Sequence, residues 1–275
     1  CQSRRPAVNR YSTLLVTLAA IWGASYLFIK IGLEGGFTPS AMMAARCLLA
    51  AAGLVPVVIV TIGARQALHE LRVSWRQWVA IGVAANAVPF WLVAWGEKYI
   101  DTGVAAIAQA TVPIFTVLLA LRFLPHEPMG VRRWVGIVIG LVGVGVLAGV
   151  NPEGDAWFVV GTLAVVLSSL AYASGNIIGQ LSITEVSGPV IACGAMLAAG
   201  IALLPFALLQ LPEETPTLGA VSSLLTLVVL GTVLAQLLLY RMLRLYGGRR
   251  MSLVTYLMPA FALVYGALFL DGPQR

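Results

Sequence analysis

The chain has 275 residues, of which 60% are hydrophobic and 10% charged, with a net charge of +6 and a mean hydropathy of +0.93. A water-soluble domain of that length needs far more charge to cover its surface, which excludes a soluble enzyme or binding module and leaves the bilayer as solvent. The positive balance calls for no nucleic acid, because basic loops on one side of a membrane account for it.

Crossing a hydrocarbon core of roughly 30 Å takes about 20 helical residues. Nine apolar runs of that kind, with at most one charge each, lie near residues 11–33, 38–62, 77–97, 102–121, 134–150, 156–181, 188–211, 218–240 and 251–270. In the first, "IWGASYLFIKIGLEGG" (residues 21–36) sets Trp22, Tyr26 and Lys30 four residues apart, on one helix face. The second carries Arg46 about two turns in, beside Cys47, and Pro56 near its end. The third holds Asn86, Pro89, Trp91 and Trp95 and ends at Glu97 and Lys98. In the fourth, Gln109 stands four residues before Pro113. Gly136, Gly140, Gly143, Gly145 and Gly149 leave the fifth with a small-residue face suited to close helix packing. A second stripe, Tyr172, Asn176 and Gln180, lies in the sixth; the seventh holds Cys193 and Pro205. Gln236 and Tyr240 belong to the eighth, and Thr255 precedes Pro259 by four residues in the ninth.

Thirteen of the seventeen lysines and arginines fall in segments on one side: Arg4, Arg5 and Arg10; Arg65, Arg72 and Arg76; Arg122, Arg132 and Arg133; Arg241, Arg244, Arg249 and Arg250. The opposite loops are acidic, so the amino terminus is expected in the cytoplasm. The halves also repeat. Trp22, Tyr26 and Lys30 match Tyr172, Asn176 and Gln180 at a separation of 150, Pro113 matches Pro259 at 146, and Pro56 matches Pro205 at 149. Five spans separate each pair, and an odd number reverses direction, which predicts two units of opposite topology joined at 151–157.

The stretches "IWGASYLFIKIGLEGGFTPSAMMAARCLLAA", "WGEKYIDTGVAAIAQATVPIFTVLLAL" and "GIVIGLVGVGVLAG" resemble the EamA-type repeat of the drug/metabolite transporter superfamily. The similarity covers nearly the whole chain and is closer in the first half. It implies two inverted five-helix repeats, here 11–150 and 156–270, both termini cytoplasmic, and export of amino acids or other small metabolites. It also implies ten helices, so a tenth is expected beyond Arg275, and a chain without it is expected to be a truncated form, impaired in stability or transport.

The expected fold is therefore an all-α polytopic membrane protein of nine helices, and the expected function is secondary transport of small organic metabolites by alternating access. Polar groups are costly against lipid and face a bundle interior. The predicted substrate cavity accordingly takes Trp22, Tyr26, Asn86, Trp91, Trp95, Gln109, Tyr172, Asn176, Gln236, Tyr240 and Thr255, although each aromatic also suits plain packing and each amide an interhelical bond. Pro89, Pro113 and Pro259 are the predicted hinges. An unpaired Arg46 would cost roughly 2.5 kcal/mol or more in lipid, so a carboxylate partner is expected. Glu97 is the nearest in depth and Glu34 an exposed alternative. Lys30, Arg46 and Glu97 together form the predicted gate, with direct proton coupling through Glu97 as the other reading.

Enzyme chemistry fails on inventory. His69 and His126 sit in loops, and no metal, nucleophile-elbow or phosphate-loop pattern occurs. No cofactor or metal is implied, and Cys47 and Cys193 have no disulfide or metal spacing. The expected partners are a small-molecule substrate, the lipid of a bacterial inner membrane and protons as a candidate coupling ion; a monomer is favoured. The rival to a carrier is a non-transporting assembly or scaffold subunit.

Overall fold

The computed structural model of the chain describes residues 5–123, 131–149, 156–182, 186–246 and 254–269. Residues 151–155 of the expected seam at 151–157, the segment with His126 and Glu127, the basic segment from 247 and the side chain of Gln180 lie outside the described residues. Every regular element among those described is helical. In chain order they are α1 (Arg5–Glu34), α2 (Pro39–Ile62), α3 (Ala64–Val73), α4 (Trp75–Gly82), α5 (Val88–Gly96), α6 (Thr102–Gln109), α7 (Val112–Phe123), α8 (Val131–Gly149), α9 (Ala156–Ser182), α10 (Gly188–Leu209), α11 (Leu218–Val228), α12 (Ala235–Tyr246) and α13 (Val254–Phe269).

Seven segments among the described residues are long and apolar enough to cross a membrane: Arg10–Glu34, Pro39–Ile62, Trp75–Gly96, Thr102–Phe123, Ala156–Gly179, Gly188–Leu209 and Leu218–Met242. These correspond to seven of the nine expected spans. Helices also occupy the other two places, as α8 and the 16-residue α13, the latter short of a full crossing.

The turns explain how adjacent spans reverse. After α1, Gly36 takes φ +107°, which lets Phe37 N–H reach the Gly32 carbonyl at 3.1 Å and end the helix. Thr38 then caps α2, its hydroxyl accepting from Ala41 N–H, with Pro39 in the first turn. α10 also starts with a hydroxyl residue and a proline, Ser187 at the cap and Pro189 behind it, but the Ser187 side chain does not accept from the helix.

α2 and α10 pack along their length at the centre. Small residues allow the approach: a Cβ on Gly200 would lie 2.6 Å from the Leu48 side chain, and the Cys193 thiol donates to the Ala51 carbonyl at 3.6 Å. α1 leans on α11 and α13, while α9 packs against α5 and α7.

Two expectations change. Residues 63–76, read as a loop, hold α3, an amphipathic helix whose Ala67 is buried while Arg65, Leu68 and Arg72 are exposed. Its ten residues are too few to register as a hydrophobic run. Pro259, inside α13, has no N–H to give to the helix, which keeps its course through it. The glycine face of α8 is not uniformly packed. A Cβ on Gly140 would meet Ile114 Cδ1 at 2.5 Å, but nothing described lies within 4 Å of one on Gly136 or Gly143.

The third and eighth spans each contain a π-helical turn, Val83–Ala87 between α4 and α5 and Val229–Leu234 between α11 and α12. The first precedes Pro89, which has no N–H to give; the second has no proline. Such single wide turns are rare and concentrate at functional sites. Each is closed by a polar side chain donating to a carbonyl five residues back: Asn86 Nδ2 to Ile81 O (3.5 Å) and Thr232 Oγ1 to Leu227 O (3.0 Å). Asn86 and Thr232 are 146 residues apart, the separation of Pro113 and Pro259.

Candidate functional site

The second wide turn bonds Arg46 through Thr232, and Phe90, three residues past the first, packs against the guanidinium. From α2 the Arg46 Nε donates to Thr232 Oγ1 at 2.9 Å, Nη1 points at Met43 Sδ at 3.9 Å, and the guanidinium carbon lies 3.9 Å from the centre of the Phe90 ring. Arg46 is only 4% exposed. Hydroxyl, sulfur and ring face all favour a cation, and the ring contributes up to about 2 kcal/mol when desolvated. Tyr26 and Tyr172 lie within electrostatic range of Arg46, and the Tyr172 ring is 6.2 Å from that of Phe90.

The expected ion pair is not formed. Glu97 is wholly buried at the end of α5, and neither of its carboxylate oxygens has a hydrogen-bond partner. Lys30 Nζ does come to Glu97, but to its main-chain carbonyl at 2.9 Å and to that of Ile100 at 3.4 Å. The lysine thus caps the carbonyl end of α5, where a positive charge is favoured. Spacing alone cannot separate these outcomes, because depth along a helix says nothing of which neighbour a flexible cation selects.

Two predicted amides, the buried Gln109 and the half-buried Gln236, each have one buried atom left over. Gln109 Oε1 accepts from Ser168 Oγ at 2.9 Å while its Nε2 is unpaired, and Gln236 Oε1 is likewise without a partner. Gln109 ends α6 where Pro113 breaks the fourth span; the Ala108 carbonyl there accepts from the Thr111 hydroxyl at 2.7 Å and Ser169 at 3.5 Å. Buried polar atoms in native proteins are nearly always satisfied, so each exception is a place where a water, an ion or a solute can supply the partner.

The remaining predicted residues divide. Tyr26 and Asn86 are buried; Trp22, Tyr172, Tyr240 and Thr255 are half-buried; Asn176 is exposed, one turn beyond Tyr172 and not enclosed with it. Tyr240 covers Gly188 at the start of α10. Trp91 and Trp95 stack at 6.2 Å and line a cleft of about 680 Å³ at the Glu34 end of the bundle, with Thr38, Lys98 and Gln210.

Each end of the bundle carries a polar closure. At the Glu34 end Trp91 Nε1 donates to Ser40 Oγ (2.9 Å), Ser40 Oγ to Gln210 Oε1 (2.9 Å) and Thr38 Oγ1 to the Gln210 carbonyl (2.7 Å). At the other end Glu70 accepts from Ser187 N–H (2.9 Å), Ser187 Oγ (3.1 Å) and Gln66 Nε2 (3.0 Å). Burial pushes the Glu70 carboxyl up, but these hydrogen bonds, led by the Ser187 N–H, outweigh it and hold it below the ordinary value. The sequence reading missed Ser40, Glu70, Ser168, Gln210 and Thr232. Only Thr232 had a signal, its 146-residue separation from Asn86.

A scan of protein families matches residues 10–149 and 159–273 to the EamA-like transporter family. The chain belongs to that family. It is a membrane transporter rather than an enzyme. This EamA-like protein is 31% identical over 229 residues to "Uncharacterized inner membrane transporter YedA" of Escherichia coli strain K12, covering 80% of this chain and 70% of YedA. It is 26% identical over 264 residues to an "Uncharacterized transporter" of Archaeoglobus fulgidus, covering 94% and 90%. It is also 28% identical over 195 residues to the "Probable terminal-alkyne amino-acid exporter" of Streptantibioticus cattleyicolor, covering 70% and 62%. A solved crystal structure shares the fold at a TM-score of 0.71 and 18% identity, over 97% of this chain and 90% of the other.

Proposed function

We propose that this EamA-like protein is a secondary exporter of small organic metabolites, amino acids or their analogues among them, working by alternating access in a bacterial inner membrane. The observation that carries this reading is the buried Arg46–Thr232 pair, together with the unpaired buried atoms of Gln109 and Gln236, in a bundle whose two ends carry separate polar closures. A carrier needs such a centre with a gate on each side.

The pairing of features supports two inverted five-helix units, 11–150 and 156–270, with nine spans in this chain and the amino terminus in the cytoplasm. The cap of α2 bonds to the residue after α10, and the cap of α10 bonds to α3, which follows α2. The wide turns and the prolines Pro113 and Pro259 recur at one separation. With this orientation, Ser40–Gln210 closes the outer side and Glu70–Ser187 the inner. The named exporter and the inner membrane transporter among the relatives support the direction and the compartment. Energy comes from the solute gradient or proton exchange.

The test is efflux. Cells expressing the protein, loaded with a labelled mixture of amino acids and small metabolites, should release at least one component faster than control cells, with or without nucleotide depletion. Equal release of every component would favour a non-transporting subunit.

A further inference from the structure

We propose that Arg46 is the anchor for a carboxylate on the transported solute, so that the substrates are monoanions or zwitterions rather than cations or neutral molecules; this rests on the transporter reading above.

Arg46 brings one full positive charge about two turns into the second span, and its three contacts, Thr232, Met43 and Phe90, are all uncharged. A guanidinium has five N–H donors in a planar fork. Here Nε is used by the threonine hydroxyl and Nη1 has only a weak sulfur acceptor. The ring of Phe90 covers one face of the plane and leaves its Nη edge as the charge-assisted donor, the edge that takes a carboxylate in a two-bond pair. The titratable groups within electrostatic range are Tyr26 on α1, Cys47 on α2, Glu97 beyond α5 and Tyr172 on α9. The one carboxylate among them, Glu97, accepts no bond from Arg46 or any other group.

A buried charge without a bonded counter-ion is unfavourable, and a carboxylate on the solute supplies that bond. One guanidinium balances one negative charge, which favours a carboxylate over a phosphate dianion. Tyr26, Phe90 and Tyr172 around it suit the apolar remainder of a small organic acid. Thr232 is then a positioning residue: its hydroxyl, tied back to Leu227 O in the wide turn, fixes the orientation of the fork.

The experiment measures external and internal metabolites of cells expressing the wild type, Arg46→Lys or Arg46→Gln, at matched membrane abundance. The solutes that the wild type moves outward should bear a carboxylate. Arg46→Gln should lower their outward ratio about tenfold, the worth of a charge-assisted bond, and Arg46→Lys should retain part of it. In vesicles with the wild type, the free acid of an exported solute should compete and its primary amide should not, a comparison that needs no variant to fold. Exported solutes without a carboxylate, unchanged export by Arg46→Gln, or equal competition by the amide would overturn the anchor while leaving the transporter reading intact. No outward change in any solute would overturn both.

Discussion

Glu70 on α3 holds the cap of α10 through Ser187, accepting from its N–H at 2.9 Å and its hydroxyl at 3.1 Å. A carboxylate at a helix amino terminus satisfies orphan N–H groups and meets the positive end of the helix dipole. Since its folded-state pKa is depressed, this contribution is complete above the unfolded carboxylate value, about 4.3, and is lost as pH falls through the lower folded value. Glu70→Gln should cost about 1 kcal/mol near neutral pH, and the acid-side loss of thermal stability in detergent should be shallower in the variant. Identical acid profiles for both proteins would contradict the closure.

Thr232→Val should be among the costlier single changes in the bundle. It removes the acceptor for Arg46 Nε and the closure of the wide turn at once. Leaving a buried charged donor short of a partner costs about 1.5–3 kcal/mol. Thermal unfolding of the purified protein reads this directly, and a loss near zero would mean that Arg46 finds another partner.

The absence of an Arg46–Glu97 hydrogen bond predicts weak coupling. With Nε of Arg46 on Thr232 and both Glu97 oxygens unpaired, the two charges interact through space alone, so the coupling should stay below the ~3–5 kcal/mol of a bonded buried pair. A larger coupling in a double-mutant cycle would restore the pair.

Close backbone approach around the first wide turn predicts which glycines matter. A Cβ on Gly175 would lie 2.9 Å from the Ala85 backbone nitrogen, and one on Gly82 would lie 2.5 Å from the Ala195 carbonyl oxygen. Gly175→Ala and Gly82→Ala should each lower stability by about 1–3 kcal/mol through overpacking. Gly136→Ala should leave it unchanged, and fluorescence-detected size exclusion of the three variants decides.

Much of this architecture was legible before the structure, because spans are written in long apolar runs and the bilayer allows few alternatives. The buried centre was legible in part. Arg46, Gln109 and Gln236 stand out as polar residues in apolar helices, and that is a property of the residue. Which neighbour each one meets is a property of helix rotation and packing. Hence Glu97 was assigned to Arg46 when Thr232 holds it, and Asn176 was placed inside although it is exposed. The wide turn at Val229–Leu234 left no trace in composition, since no proline or glycine pattern is needed to form it.

The most direct test of alternating access is to lock one end at a time. In a background with the native cysteines replaced, Ser40→Cys with Gln210→Cys, or Glu70→Cys with Ser187→Cys, can be bridged by a short reducible cross-linker, and metabolite export followed before and after reduction. Either bridge alone should stop export, and reduction should restore it, because a carrier must open each end in turn. Export continuing at the unbridged rate with one end locked would contradict the account.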